Sequence, residues 1–259
     1  MKKTALITGA SSGIGKELAI IHAEKSGNLI LVSRNRDKLN ALKDQLEKKY
    51  GIRVDVIAKD LSLAGASKEV FADVQTLGIQ VDYLINNAGF GLVGKFHEIQ
   101  WDRHIQMINL NMVALTELTH LFLNEMVVRN NGKILNTSST AGFIPGPLQA
   151  VYFASKAYVS SFSNAIAEEL HDKNITVTTL LPGATETNFA HTSGVDKTAI
   201  YSNPASARRV AEDGYNGMMK GKLDVISVST KSQKMQLSLV RFFPKKTLLK
   251  QTRLMQEPK

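Results

Sequence analysis

Short apolar runs rich in β-branched residues alternate along the chain with longer stretches whose apolar positions recur at helical spacing. Runs at 4–8, 29–33, 54–58, 83–86, 133–138, 176–180 and 224–228 predict strands. Between them, 15–25, 38–50, 67–76, 101–129, 151–171 and 204–220 predict helices. The strands are apolar on both faces and are followed by helices, which implies parallel pairing with helices covering both sides of the sheet. The expected fold is therefore α/β, a three-layer doubly wound parallel sheet of about seven strands. With no internal repeat, low-complexity tract or Gly/Pro-rich linker, residues 1–230 read as one domain and 231–259 as a C-terminal helical extension.

Composition narrows the class. The 259 residues are 43% hydrophobic and 21% charged, ordinary for a soluble globular protein. Cysteine is absent, which removes disulfides, thiol catalysis and Cys-ligated zinc. The net charge of +9 is unevenly placed: residues 220–259 hold 10 of the 32 basic and 2 of the 23 acidic side chains, a net of +8, leaving +1 for the rest. A nucleic-acid reading based on overall charge is thereby misdirected, and none is expected. The chain opens Met1-Lys2-Lys3 but lacks the apolar run of about 7–15 residues of a signal peptide. No segment approaches the ~18 apolar residues of a membrane span. The expected location is cytoplasmic.

The first strand runs into Thr8-Gly9-Ala10-Ser11-Ser12-Gly13-Ile14-Gly15-Lys16 and then a helix. Glycines let the chain turn sharply and bring its backbone close to a ligand, and the helix N-terminus offers free N–H donors to a pyrophosphate. A plain structural turn would use the same residues, so the glycines alone leave both readings open. The second strand ends in Val32-Ser33-Arg34-Asn35-Arg36, with no carboxylate where an adenosine ribose 2′-OH would be held. Arg34, with Ser33 and Arg36, suits a 2′-phosphate instead, favouring NADP(H) over NAD(H) against the alternative of a solvated arginine.

At Thr8-Gly9-x-x-x-Gly13-Ile14-Gly15, Asn86-Asn87-Ala88-Gly89, Ser139, Tyr152-x-x-x-Lys156 and Pro182-Gly183, the chain resembles the classical short-chain dehydrogenase/reductase family, over roughly residues 4–230. That resemblance implies a Rossmann-type fold. It implies that Gly9, Ser11, Ser12, Gly13, Ile14 and Gly15 line the pyrophosphate site, and that Asp60, followed by Leu61, contacts the adenine amino group. Asn87, Ala88 and Gly89 would support the adenosine side, while Pro182, Gly183 and Thr187 would border the nicotinamide, Thr187 holding its carboxamide. Ser139, Tyr152 and Lys156 would be catalytic, Tyr152 and Lys156 also bordering the nicotinamide ribose. Within Ile108-Asn109-Leu110-Asn111, Asn109 matches the fourth catalytic residue, with Asn111 the rival. The small residue usual three positions after that Asn is replaced, counting from Asn109, by Met112. The resemblance further implies a homodimer or homotetramer pairing through helices 101–129 and 151–171.

The residue types suit the chemistry. Hydride transfer at a carbonyl needs one tuned acid/base beside the cofactor. A free tyrosine has a pKa near 10, and a nearby cation lowers it. Tyr152 and Lys156 stand four apart, on one helical face, which delivers that cation. Ser139, ending a strand, can donate to the substrate oxygen as charge develops on it. Competing chemistries lack their signatures: the six histidines show no pair at three- or four-residue spacing for zinc, and G-x-x-x-x-G-K-[ST] does not occur.

Segments 90–96, 140–151 and 184–203 are expected to face the substrate. Phe90, Leu92, Val93, Phe96, Phe143, Ile144 and Leu148 suggest an apolar or bulky carbonyl compound, or else ordinary loop packing. The polar stretch 192–203 reads as a mobile lid. In the tail, Met235, Leu239, Phe242 and Phe243, then Leu248, Leu249 and Met255 among Lys245, Lys246, Lys250 and Arg253, read as two amphipathic helices. They suit packing on the domain with the cations solvated, or peripheral contact with an anionic membrane. The tail weakly resembles extensions in the family branch with membrane-associated ketoacyl and hydroxysteroid reductases. The expected activity is NADP(H)-dependent reduction of a carbonyl or oxidation of its alcohol; the alternative is a non-catalytic cofactor sensor docking through the tail.

Overall fold

The computed structural model describes residues 2–230, 233, 235, 237 and 243–257. Strands β1 (Thr4–Thr8), β2 (Asn28–Ser33), β3 (Val54–Ala58), β4 (Tyr83–Asn86), β5 (Gly132–Thr137) and β6 (Ile175–Pro182) are followed by two-residue strands β7 (Thr185–Glu186) and β8 (Ala205–Ser206), and by β9 (Asp224–Ser227). Seven of them form one parallel sheet in the order β3-β2-β1-β4-β5-β6-β9, while β7 and β8 pair separately. The helices are α1 (Gly13–Glu24), α2 (Arg36–Tyr50), α3 (Ala66–Thr76), α4 (Trp101–Ile108), α5 (Leu115–Val128), α6 (Ala150–Glu169), α7 (Asn188–Ser193), α8 (Ala207–Met219) and α9 (Lys245–Gln256).

Strand residues alternate between two cores, as the period of two demands. Ala5 and Ile7 of β1 and Leu29 and Leu31 of β2 pack with Leu18, Leu39, Leu46, Val210 and Met218 from α1, α2 and α8. Leu6, Ile30 and Val32 face the other way, onto Val70, Leu118, Phe122 and Met126 from α3 and α5. Both faces being covered, the strands read as continuous apolar runs. The chain builds outward from β1 to β3, then returns to place β4 on the other side of β1. This reversal opens a crevice at the C-terminal strand ends, where ligands bind in such sheets.

The helix expected over 101–129 is interrupted: Asn109–Ala114 form a π-helical segment between α4 and α5. The extra residue in that turn rotates Asn111 into the interior, and insertions of this kind recur at functional sites. The β7–β8 pair went unforeseen because two residues carry no periodicity. In the tail α9 is helical, whereas Leu239 and Phe242, expected in an earlier helix, lie outside the described residues.

Candidate active site

A cavity of about 1120 Å³ occupies the crevice, reaching from Arg34 and Asp60 at one end to Tyr152 and α9 at the other. Its floor begins where β1 turns into α1. Gly9 and Gly13 sit at φ +68° and +54°, conformations that side chains disfavour. A Cβ on Gly13 would lie 2.9 Å from Thr187 Cγ2, so the turn and the loop after β6 close on each other here. Ser11, Ser12 and Ile14 also line the cavity. Gly15 does not, which corrects the expectation that it borders the pyrophosphate site. A Cβ on it would sit 2.5 Å from Asn87 Nδ2 and closer still to the Gly9 carbonyl oxygen, so this glycine lets α1 pack against the β1 turn and the β4 loop. That loop is pinned to β1: Thr8 Oγ1 accepts from the amides of Asn87 and Ala88, both at 3.0 Å, and Asn87 Nδ2 donates to Thr8 O at 3.1 Å.

At the far end Arg34 lies 3.8 Å from Asp60, whose other oxygen accepts from Ser62 N and Oγ. Ser33 Oγ is buried without a hydrogen-bond partner among the described residues, and Asn35 and Lys38 line the same wall. Asn35 caps α2 by accepting from Lys38 N at 2.9 Å. Lys38 was not singled out in the sequence because it reads as an ordinary solvated position in the first turn of a helix.

Tyr152 and Lys156 stand one turn apart on α6, with Nζ 5.8 Å from the Tyr152 ring centroid. Ser139 stands two residues after β5 and caps the 140–143 turn, its Oγ accepting from Ala141 N at 3.1 Å and donating to Pro182 O at 3.3 Å. A Cβ on Gly142 would lie 2.9 Å from Lys156 O, and Ser138 Oγ donates to that carbonyl at 2.7 Å. These contacts seat the Ser139 turn directly on α6. Gly91 lets the β4 loop approach the other side: a Cβ there would be 3.2 Å from the Tyr152 ring, which packs 5.5 Å from the ring of Phe189.

Electrostatics follow from burial. Desolvation pushes the Tyr152 hydroxyl up to about 12, the Ser139 hydroxyl beside it pulling the other way. Burial pushes Lys156 down to about 8; its Nζ donates to Thr137 O at 2.8 Å. The protein alone thus holds a protonated tyrosine next to a lysine whose charge is easily lost. A phenolate or other anion placed between them would raise the lysine, and the ammonium would lower the tyrosine.

Asn109 corrects another expectation: it points away, Nδ2 donating to Ser62 O at 3.1 Å, and does not line the cavity. Asn111 does not line the cavity either, but it is buried beside Lys156 and the Phe90 backbone. Its Oδ1 accepts from Phe90 N at 3.1 Å, its Nδ2 donates to Phe90 O and Ser155 Oγ, and a Cβ on Gly89 would touch both Asn111 Oδ1 and Lys156 Nζ. Of the expected substrate-facing residues, Phe90 and Ile144 line the cavity, whereas Leu92, Val93, Phe96, Phe143 and Leu148 do not. Phe96 is exposed and stacks on His104. Residues 192–203 fold as the end of α7 and two 3₁₀ turns, with Thr192, Val195 and 199–203 against the cavity. Among the described residues there is no cluster with metal-ligating composition and no helix long and apolar enough to cross a membrane.

Known proteins are similar to this chain in sequence and in fold. The mouse very-long-chain 3-oxoacyl-CoA reductase is 35% identical over 192 residues, covering 72% of this chain and 60% of the relative. The rat 17-beta-hydroxysteroid dehydrogenase type 3 is 34% identical over 204 residues, 77% of this chain and 66% of the relative. The chain thus spans about 60% of the length of the first of these curated relatives and 66% of the second. A short-chain dehydrogenase from Sphingobium yanoikuyae, solved in complex with NADPH, superposes with a TM-score of 0.83 at 29% identity, covering 93% of this chain and 94% of that one. The sequence profile of the short chain dehydrogenase family matches residues 3–198, from the β1 turn through the Tyr152–Lys156 helix and the loop after β6, and the chain belongs to that family.

Proposed function

We propose that the protein is an NADP(H)-dependent carbonyl reductase, or dehydrogenase of the matching alcohol, acting on an apolar, bulky compound. The observation that carries this reading is the convergence of Tyr152, Lys156 and Ser139 on one wall of a cavity whose opposite end is a glycine turn at a helix N-terminus. The turn fits a dinucleotide: Gly9 and Gly13 border the cavity at positive φ with no side chain to fill it, and α1 offers its N–H groups. A nicotinamide cofactor supplies or accepts the hydride when bound. In reduction, Tyr152 gives its proton to the substrate oxygen, Ser139 Oγ donates a hydrogen bond to that oxygen, and Lys156 stabilises the phenolate left behind. Asn111 holds the Phe90 backbone against Lys156 and keeps that end of the site in register.

For the cofactor, Ser33 Oγ, Arg34 and Lys38 form a polar wall suited to a 2′-phosphate, and the NADPH complex of the Sphingobium relative supports the same choice. The names of the mouse and rat relatives support a bulky apolar carbonyl substrate. A cofactor sensor has less support, since the proton-transfer set is complete. We also propose pairing of two copies along α4–α6, where Trp101 and Val113 are exposed, and a cytoplasmic location for the catalytic body.

The test is oxidation of NADPH and of NADH, followed at the reduced-nicotinamide absorbance, against a panel of carbonyl compounds. Turnover with NADPH preferred is expected, and Arg34→Asp should move preference toward NADH by about tenfold or more. An unchanged ratio would show the 2′-phosphate site to be misassigned.

A further inference from the structure

We infer that α9 is the outer wall of the substrate chamber and selects carbonyl compounds bearing an extended apolar chain; this rests on the reading of the site given above. Leu248, Thr252 and Met255 recur at four- and three-residue spacing, so they share one face of α9, and all three border the same cavity as Tyr152. Phe243, just before the helix, joins them. The cations Lys245, Lys246, Lys250 and Arg253 are exposed and none of them borders the cavity, where Leu248 and Met255 stand with Gln251 and Thr252. Met255 is still 44% exposed at the mouth, apolar surface that a chain leaving Tyr152 would cover.

A specific bond seats the wall. Gln149 Nε2 donates to Gln256 Oε1 at 2.6 Å, and both side chains are buried, Gln256 completely. The bond satisfies the buried Gln256 Oε1, while Gln256 Nε2 is buried with no partner among the described residues, and the contact ties the end of α9 to Gln149. Gln149 immediately precedes α6 and stands three residues before Tyr152, and Leu148 beside it is held at φ +66°. The wall is therefore fastened to the helix that carries the proposed acid. The described part of the tail and the catalytic body line one cavity of about 1120 Å³, which runs on past Tyr152 to α9.

The experiment measures kcat/KM for 2-dodecanone and 2-butanone with NADPH in the full-length protein and in Leu248→Trp, with Met255→Trp as a second variant at the exposed mouth. Filling the chamber should lower the ratio of long to short substrate about tenfold. A ratio within about twofold of the parent in both variants would overturn the proposal. If neither ketone is turned over, the carbonyl-reductase reading has failed, and fluorescence of cis-parinaric acid decides the chamber separately. Binding by the parent, weakened severalfold in the variants, supports the wall; equal binding by all three, or none, contradicts it.

Discussion

Lys156 shows the tension between stability and chemistry most directly. Its ammonium is buried against a neutral carbonyl, and its pKa in the folded protein, about 8, lies below the ordinary 10.5. A folded value below the unfolded one means that the charge destabilises the fold fully below about pH 8, and that the penalty fades as pH rises toward 10.5. Lys156→Met should therefore raise stability at pH 7 by about 1–3 kcal/mol while abolishing turnover, the gain shrinking at alkaline pH. Thermal unfolding across that pH range checks the sign. The two asparagines separate in the same way. Asn111→Ala should cut kcat/KM roughly 10²-fold by freeing the Phe90 backbone, while Asn109→Ala, which loses one bond to Ser62, should change it severalfold at most. Equal losses in steady-state assays would contradict the assignment. That Tyr152 and Lys156 share one face of a helix was legible because it follows from their four-residue spacing. Choosing between Asn109 and Asn111 depended on the phase of a helix that changes pitch between them. One signal was available: counted from Asn111, the small residue three positions on is Ala114.

Among elements, the β1–α1 turn shows how one motif divides into ligand-facing and packing roles. Gly9 and Gly13 border the cavity, whereas Gly15 serves contact of α1 with the β1 turn and the β4 loop. Sequence spacing does not tell these apart, because which glycine meets a ligand depends on where the next loop crosses. Gly15→Ala should lower stability by about 1–3 kcal/mol through displacement of the Gly9 backbone and Asn87, seen as a drop of several degrees in Tm. An unchanged Tm would mean that the loop yields freely. The β-strand runs were easily read because both faces are buried, while α9 was legible only as an amphipathic pattern. Its inner face meets residues more than a hundred positions earlier, a pairing that no local pattern records.

Across the whole molecule, charge and chemistry are separated. The net +8 of residues 220–259 does not turn toward the cavity in α9, whose lysines face solvent while its apolar side borders the chamber. The tail is better described as part of the proposed site than as an independent appendage, even though the strand and helix pattern of residues 4–230 accounts for the sheet and its crevice. The central claim is that Tyr152 exchanges a proton with a carbonyl oxygen beside a nicotinamide. Burial keeps its hydroxyl protonated through neutral pH, so reduction should hold steady there and fall at strongly alkaline pH, while alcohol oxidation, which needs the phenolate, should rise with pH. The most direct measurement is NADPH-dependent carbonyl reduction by the parent and by Tyr152→Phe. Loss of about 10²–10⁴-fold in kcat with NADPH affinity retained is the predicted result; turnover unaffected by removal of that hydroxyl would contradict the account.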